Sequence, residues 1–375
     1  MGNEACGIAQ ANQERLENPS QHPGRAAVTQ QLRKSAYAPL YDFIPAAGRP
    51  RLIADGLLWN RLPLPFDLNH VNMWLIEGAK GFSIVDAGFN NELSTQSWDE
   101  VFSNVFAKKS VEKIFITHFH PDHLGLGGWL AVRTSMPLQM TAPEYGMAQW
   151  LTDENKAHEL ETLYRAYYIE AGINGETLES LMNRRFGYKK IVSPIPSTYV
   201  EVKPGDVVRL GDRDWKIIDG YGHSPQHASL YSEADKIFIA GDMILPDISP
   251  NISLFPDSFQ SRNPVAAYLE TLNRLRDTVP DDVLVLPSHG APFRGLHQRA
   301  GELIVHHERR LEKLRDVLKS GGPMTAIDAA RGLFSHRSID RAHDMFFALG
   351  ETLAHLVYDF NEGRIKKDGS MYSLT

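Results

Sequence analysis

Three strand-length apolar runs in this sequence each end on a side chain that apolar surroundings penalise. VEKIFIT runs directly into His118, IFIAG into Asp242 and VLVLPS into His289. A bare carboxylate closing a buried strand is costly unless it meets a cation. The chain is therefore constrained to a strand-containing fold with a cation-holding site at strand ends.

The first of these ends is the most specific. ITHFHPDHLG places His118 and His120 two apart at the end of an extended run, so both imidazoles can point the same way, and Asp122 and His123 then open a helix. With 15 histidines in 375 residues, a His-x-His-x-Asp-His string arises by chance with odds on the order of one in a thousand. His223, in DGYGHSPQH, follows another strand and is flanked by Gly222 and Pro225, as a ligand held on a tight loop should be. Neutral imidazoles and carboxylates suit zinc and comparable first-row divalent ions, manganese and iron among them. The single cysteine, Cys6, leaves neither a thiolate cluster nor an intrachain disulfide to build.

The order of elements reads as α/β. Residues 1–45 form a polar extension with some helical character around Ala27 to Ser35. Residues 46–295 form the catalytic domain, which opens with the β-like runs LIADGLLWNRL, VNMWLIEG and GFSIVDAG. An amphipathic helix over Leu93 to Phe106 follows, then the strand into His118, a helix from about Asp122 and the strand PLQMTA. A helical insert over about 143–190 precedes further strands, STYVEV, DVVRL, WKIIDGYG and ASLYSEADKIFIAGD, then a helix at Ala266 to Thr278 and the strand DVLVLPSHG. Residues 296–375 read as helix, helix, helix and a short two-stranded wing around Asp368 and Gly369, the layout of a winged helix.

Composition excludes several classes. At 42% hydrophobic and 23% charged the chain is globular. A net charge of −7 supplies no basic field of the kind that holds polyanions. No run is long and apolar enough to span a bilayer, and the first residues lack a secretory layout, so a cytoplasmic location without membrane partners is expected.

Taken together, His118, His120, Asp122, His123, His223, Asp242 and His289 resemble the metallo-β-lactamase superfamily, over roughly Leu52 to Pro292 and including the Asp86-Ala87-Gly88 turn. The resemblance implies a four-layered αββα sandwich and two metal ions. His118, His120 and His223 would hold one ion, Asp122, His123 and His289 the other, and Asp242 would bridge both. A bridging carboxylate is similar to glyoxalase II, lactonases and phosphodiesterase members and unlike true metallo-β-lactamases. His120 stands where flavodiiron members have Glu. The C-terminal region, with ALGETLAHLVYDFNEGRI, is similar to the winged helix of the branch containing mitochondrial endoribonuclease-like proteins.

Such a pair of ions lowers the pKa of a shared water toward neutrality, so hydroxide is available as nucleophile. Asp122 is the candidate catalytic residue, orienting that group and passing its proton to the leaving group. The leading expectation is an ester or thioester hydrolase, a thioesterase or lactonase, acting on a small molecule. A single-strand endoribonuclease or phosphodiesterase is the alternative, and a non-catalytic winged-helix DNA-binding protein the third.

Around these residues, Tyr221, Tyr167 and Trp150 are candidate substrate contacts, with Tyr164 and Tyr168 beside them on the insert. Asp86 is expected to support ligands by hydrogen bonds. His70 and Asn72 read as structural, His227 as a surface residue, and His306 and His307 as solvated on a charged helix. On the wing, Arg364, Lys366 and Lys367 are balanced by Asp359, Glu362 and Asp368.

Overall fold

The computed structural model describes residues 37–375 apart from 67, 186, 257–261 and 337. Most of the polar extension, including Cys6 and the Ala27 to Ser35 stretch, lies outside the described residues.

Seven strands form the first sheet, in spatial order β1 (Arg51–Ala54), β2 (Leu57–Pro63), β3 (His70–Glu77), β4 (Gly81–Val85), β5 (Ser110–Phe115), β6 (Leu138–Met140) and β7 (Val200–Glu201). The first four pair antiparallel, and β4 to β7 continue in parallel. Parallel neighbours need crossovers, and the helices supply them. They are α1 (Glu92–Asn104), then α2 (Pro121–Leu124) and α3 (Gly127–Thr134), then α4 (Ala142–Thr152), α5 (Ala157–Glu170) and α6 (Gly175–Arg185). The helix expected from about Asp122 is thus two, broken at Gly125 and Leu126.

The second sheet has the order β12-β11-β10-β9-β8, built from β8 (Val207–Leu210), β9 (Arg213–Gly220), β10 (His227–Ser232), β11 (Ile237–Gly241) and β12 (Leu284–Pro287). Helix α7 (Pro264–Thr278) connects β11 to its parallel neighbour β12. Asn263 caps α7 by accepting the Ala266 amide, and Pro264 fills the first turn, where no N–H is needed.

Apolar patterning explains the stacking. Strand β3 is buried on both faces because it lies inside the first sheet. Trp59, Trp74 and Phe115 from that sheet meet Trp215, Leu230, Ile239 and Leu286 from the other. Each such indole removes roughly 200 Å2 from water, about 5 kcal/mol at 25 cal/mol per Å2 as an upper bound, so this contact is the main cohesion between the sheets. On the outer face of the first sheet, Trp98 and Val101 of α1 and Leu130 of α3 pack on Met73, Ile84 and Ile114. On the outer face of the second, Tyr268 and Leu272 of α7 pack with Phe238 and Val285. These contacts give four layers, αββα.

The C-terminal region contains α8 (Leu296–Gly321), α9 (Ala326–Leu333), α10 (Ala342–Asn361) and a hairpin of β13 (Ile365–Asp368) with β14 (Met371–Leu374). Helix α8 belongs to two cores. Leu296, Ala300 and Leu303 lie on the second sheet's outer layer, whereas Leu314 and Leu318 join Tyr164, Tyr168, Leu181 and Met182 of α5 and α6 in a further apolar cluster. Leu333 of α9 and Leu349 and Leu356 of α10 complete that cluster. The crossover helices and the C-terminal region are therefore one packed body. Among the described residues no helix is long and apolar enough to cross a membrane.

Candidate metal centre

Both sheets deliver the candidate ligands at one end. The chain leaves β5 through Ile116 and Thr117, whose backbone is tied to Gln139 on one side and Ala228 on the other, and presents His118 and His120 before α2 begins. Asp122 and His123 sit in the first turns of α2. From the second sheet, His223 lies in the loop after β9, Asp242 directly follows β11, and His289 follows β12 by one residue.

The side chains converge in two groups. Donor atoms of His118, His120, His223 and Asp242 lie within 4.8 Å of one another, as do those of Asp122, His123 and His289. His118 Nε2 stands 2.9 Å from His120 Nδ1 and 3.3 Å from His223 Nε2. The carboxylate of Asp242 faces both groups, with Oδ2 3.4 Å from His223 Nε2 and Oδ1 3.4 Å from both His123 Nε2 and His289 Nε2. Asp122 Oδ2 is 3.3 Å from His289 Nε2 and 3.6 Å from His123 Nε2.

Hydrogen bonds behind the site decide which ring atoms face it. Asp86, held at a positive φ of 65°, accepts from Thr117 N–H and from His123 Nδ1 at 2.9 Å. Thr117 Oγ1 donates to Asp86 and accepts from His118 Nδ1. His223 Nδ1 donates to Asn251 O at 3.0 Å, and His289 Nδ1 to His70 O at 2.8 Å. With the Nδ1 hydrogens spent, the Nε2 lone pairs of His118, His123, His223 and His289 point inward. His123 Nε2 and Asp242 Oδ1 are buried and lack hydrogen-bond partners. Orphaned atoms of this kind, in a nitrogen and oxygen donor set without thiolate, fit divalent first-row ions.

Electrostatics agree with a demand for positive charge. Burial works against a charged His289, yet the Asp242 and Asp122 carboxylates outweigh it and push the imidazole up to about 10. Asp122 is pulled down to about 2, against its own burial, by His123 and His289. His120, by contrast, is pushed down to about 3 by burial and by His223. The carboxylate side calls for cations, while burial holds His118 and His120 neutral, which is the state of a ligand.

Glu144 was not legible as a site residue in the sequence. It is fully buried in the first turn of α4, where its Oε2 accepts the Phe119 amide at 2.9 Å and its Oε1 accepts Ser224 Oγ and the Gln226 amide, each at 2.6 Å. One carboxylate thus ties the His118/His120 loop to the His223 loop. Its only sequence signal is its place just after a parallel strand of the same sheet. Asn72 has a similar role, donating to Pro287 O and Gly290 O on either side of His289 while accepting from Trp59 Nε1.

Two readings are corrected. His227 is not at the surface: it opens β10 facing inward, is fully buried, and its Nε2 accepts the Asp242 amide at 3.2 Å. His307 is not solvated, because it falls on the α8 face shared by Leu303 and Leu311, and it pairs with His355 at 3.0 Å. His306 beside it is half-buried. Of the proposed substrate contacts, Tyr167 bonds Leu254 O at 3.0 Å, Trp150 packs half-buried against the helical cluster, and Tyr221 accepts from Gln226 Nε2 at 2.9 Å. Tyr164 and Tyr168 are core residues, at 1% and 0% exposure.

Comparison with known proteins places this architecture. Residues 66–289 match the family model described as Metallo-beta-lactamase superfamily, and residues 311–371 match that of the Metallo-beta-lactamase-like, C-terminal domain. The chain is 25% identical over 302 residues to the Bacillus subtilis protein named Probable metallo-hydrolase YqjP, covering 79% of this chain and 89% of that one. It is 23% identical over 280 residues to the Caenorhabditis elegans Beta-lactamase-like protein 2 homolog, covering 73% of this chain and 74% of that one. A beta-lactamase domain protein from Burkholderia ambifaria superposes with a TM-score of 0.80 at 36% identity, over 92% of this chain and all (100%) of that one. A metallo-beta-lactamase family protein from Thermus thermophilus superposes with a TM-score of 0.73 at 28% identity, over 86% of this chain and 100% of that one. On the match of more than half its length, and with the His/Asp cluster at the shared end of its two sheets, the chain is a metallo-hydrolase belonging to the metallo-beta-lactamase superfamily.

Proposed function

We propose that the protein is a dinuclear hydrolase of carboxylic esters or thioesters. His118, His120 and His223 would hold one divalent ion and Asp122, His123 and His289 the other, with the Asp242 carboxylate, which faces both groups, available to each. Zinc suits these donors, and manganese or iron can replace it. When bound, such ions supply a water activated near neutral pH and polarisation of the scissile carbonyl.

The chain's own residues do the rest. Asp242 offers one oxygen to each group, so the two halves of the site are held in register. Asp122 has the most exposed carboxylate of the cluster, with its side chain 21% accessible, and is placed to accept a proton and return it to the leaving group.

An arc of aromatic rings carries the substrate reading. Phe89, three residues past Asp86, meets Phe66 at 5.3 Å, and Phe66 stacks on His343 at 6.0 Å. His343 meets Phe347 at 5.1 Å, Phe347 meets Phe346 at 5.2 Å, and Phe346 stacks on Phe255 at 4.4 Å. The arc runs from the Asp86 turn, which supports His123, to the segment after Asn251, which supports His223. Phe119 adds a ring 4.7 Å from His120. Such apolar rings suit an acyl chain and offer little to a polyanion. Of the wing's basic residues, Arg364 pairs with Asp359 and Glu362 and Lys367 with Glu170, which takes charge away from a nuclease reading.

A side-by-side panel of acyl thioesters, lactones, bis-p-nitrophenyl phosphate and single-stranded RNA on the metal-loaded enzyme tests this. Efficiency on thioesters is expected to rise about fourfold per methylene, the equivalent of roughly 0.8 kcal/mol, until the apolar surface is covered. Salt-sensitive RNA cleavage without ester or thioester turnover would overturn it.

A further inference from the structure

A cavity of about 110 Å3 lies behind the metal centre, lined in part by Trp59, Arg61, His70, Asp247, Gly290 and Phe293. Arg61 is the unusual member. It stands on β2 opposite the buried Asn72. Its guanidinium carries five N–H donors, yet its one hydrogen bond, from Nη2 to Asn69 Oδ1, is at 3.5 Å, the outer limit of such a contact. Among the described residues it makes no ion pair; Asp247 lines the same cavity but is not its partner. The nearby titratable ring, His70, donates Nδ1 to the same Asn69 oxygen and accepts the Gly290 amide on Nε2, so it too presents no anion. Burial pushes the guanidinium down to about 10. Arg61 is half-buried, and a guanidinium at the wall of a largely apolar cavity, with most of its donors uncommitted, is suited to a carboxylate or phosphate.

The rest of the cavity indicates which anion. Trp59 and Phe293 give apolar walls, and Tyr37 packs on Phe293 with its ring tilted, the centroids 4.7 Å apart. A guanidinium fork recognises a planar carboxylate through two parallel N–H bonds. A phosphate needs donors on several sides, and these walls do not provide them. The volume admits an acid of a few carbons.

We propose that this cavity binds a small aliphatic carboxylate, with its oxygens on Arg61 and its tail against Trp59 and Phe293. The site touches the metal centre through two backbone groups. The His70 carbonyl accepts His289 Nδ1 at 2.8 Å, and the Gly290 amide donates to the His70 ring at 2.9 Å. A bound acid therefore braces the turn that carries His289. The assignment is independent of the ester or thioester reading of the substrate.

The test is calorimetry and thermal unfolding of the metal-loaded full chain with sodium propionate at constant ionic strength, alongside Arg61→Met, Arg61→Lys and His118→Ala. The wild type is expected to show one saturable site and a rise in Tm. Arg61→Met should weaken propionate binding at least about tenfold and, without ligand, unfold at the same temperature as the wild type, because a half-buried guanidinium with no ion pair and one hydrogen bond at the outer limit contributes little to the fold. Arg61→Lys should bind with intermediate affinity, and His118→Ala should bind as the wild type does. Binding that survives Arg61→Met and disappears in His118→Ala would place the carboxylate on the metals and overturn the site. A fall in Tm on Arg61→Met would make the arginine structural, and tighter binding of inorganic phosphate than of propionate would overturn the carboxylate assignment.

Discussion

Glu144 accepts the amide hydrogen of Phe119, the residue between His118 and His120, at 2.9 Å. Its other oxygen accepts Ser224 Oγ and the Gln226 amide beyond His223. Removing it frees both loops of the histidine-rich half-site. Glu144→Ala is expected to lower metal affinity about 10- to 100-fold, the range found when groups that orient ligands are lost. Glu144→Gln, which keeps one acceptor oxygen, should fall between. Competition against a chromophoric chelator measures this directly, and unchanged affinity in Glu144→Ala would remove the clamp from the account.

The candidate ligands could be picked out because the sequence marks them locally: each ends a strand, follows one closely or opens the helix after one, and His118 to His123 form a rare string. The αββα layering was legible for a related reason, since apolar runs and turn residues report strands and helices directly. Glu144 was not legible, and Asn72 was legible as structural but not as a brace around His289, because the partners of Glu144 lie 25 to 82 residues away and the two carbonyls that Asn72 joins lie 215 to 218 away. His227 and His307 were misread for want of a face assignment. A histidine at a strand start or on a charged helix is buried or exposed according to which neighbour covers it. The sharing of α8 between two cores depends on the same kind of long-range packing.

Gly241 is required next to Asp242. Its φ is 56°, and a Cβ there would lie 2.2 Å from Nε2 of His227, the atom that accepts the Asp242 amide. Gly241→Ala is expected to cost about 1–3 kcal/mol of stability and to weaken metal retention, as overpacking at a buried, conformationally restricted position does. Denaturant unfolding checks the first part and elemental analysis the second; wild-type values for both would contradict it.

The His307 and His355 pair predicts a pH dependence. His355 Nδ1 donates to Glu351 O, so its Nε2 accepts from His307 Nδ1, and both rings are neutral. Burial holds His355 down at about 3 and His307 well below 6.5, with Arg310 and His306 adding repulsion to both and Tyr268 packed edge-on against His307. Below pH 6.5 the unfolded chain binds protons that the folded chain refuses. Stability is therefore full above that pH and is lost as pH falls, at about 1.4 kcal/mol per unit for each imidazole. Urea unfolding between pH 7.5 and 5 should show a shallower acid loss in His307→Leu/His355→Leu than in the wild type, and equal slopes would contradict the assignment.

Phe346 stacks on Phe255 in the aromatic arc. Phe346→Ala is expected to raise KM for long acyl thioesters about tenfold, with little change in kcat or in turnover of acetyl thioesters. A uniform loss across chain lengths would assign the ring to folding and not to substrate.

The placement of Asp242 between the two groups, with Oδ2 toward His223 and Oδ1 toward His123 and His289, underlies the proposed bridge. Elemental analysis of protein purified with metal present, for the wild type and for Asp242→Ala, tests it most directly. The bridge predicts close to two divalent ions per wild-type chain and one or fewer in Asp242→Ala, with hydrolysis lost and the fold retained. Wild-type protein carrying no metal, or Asp242→Ala retaining two ions and full activity, would contradict it.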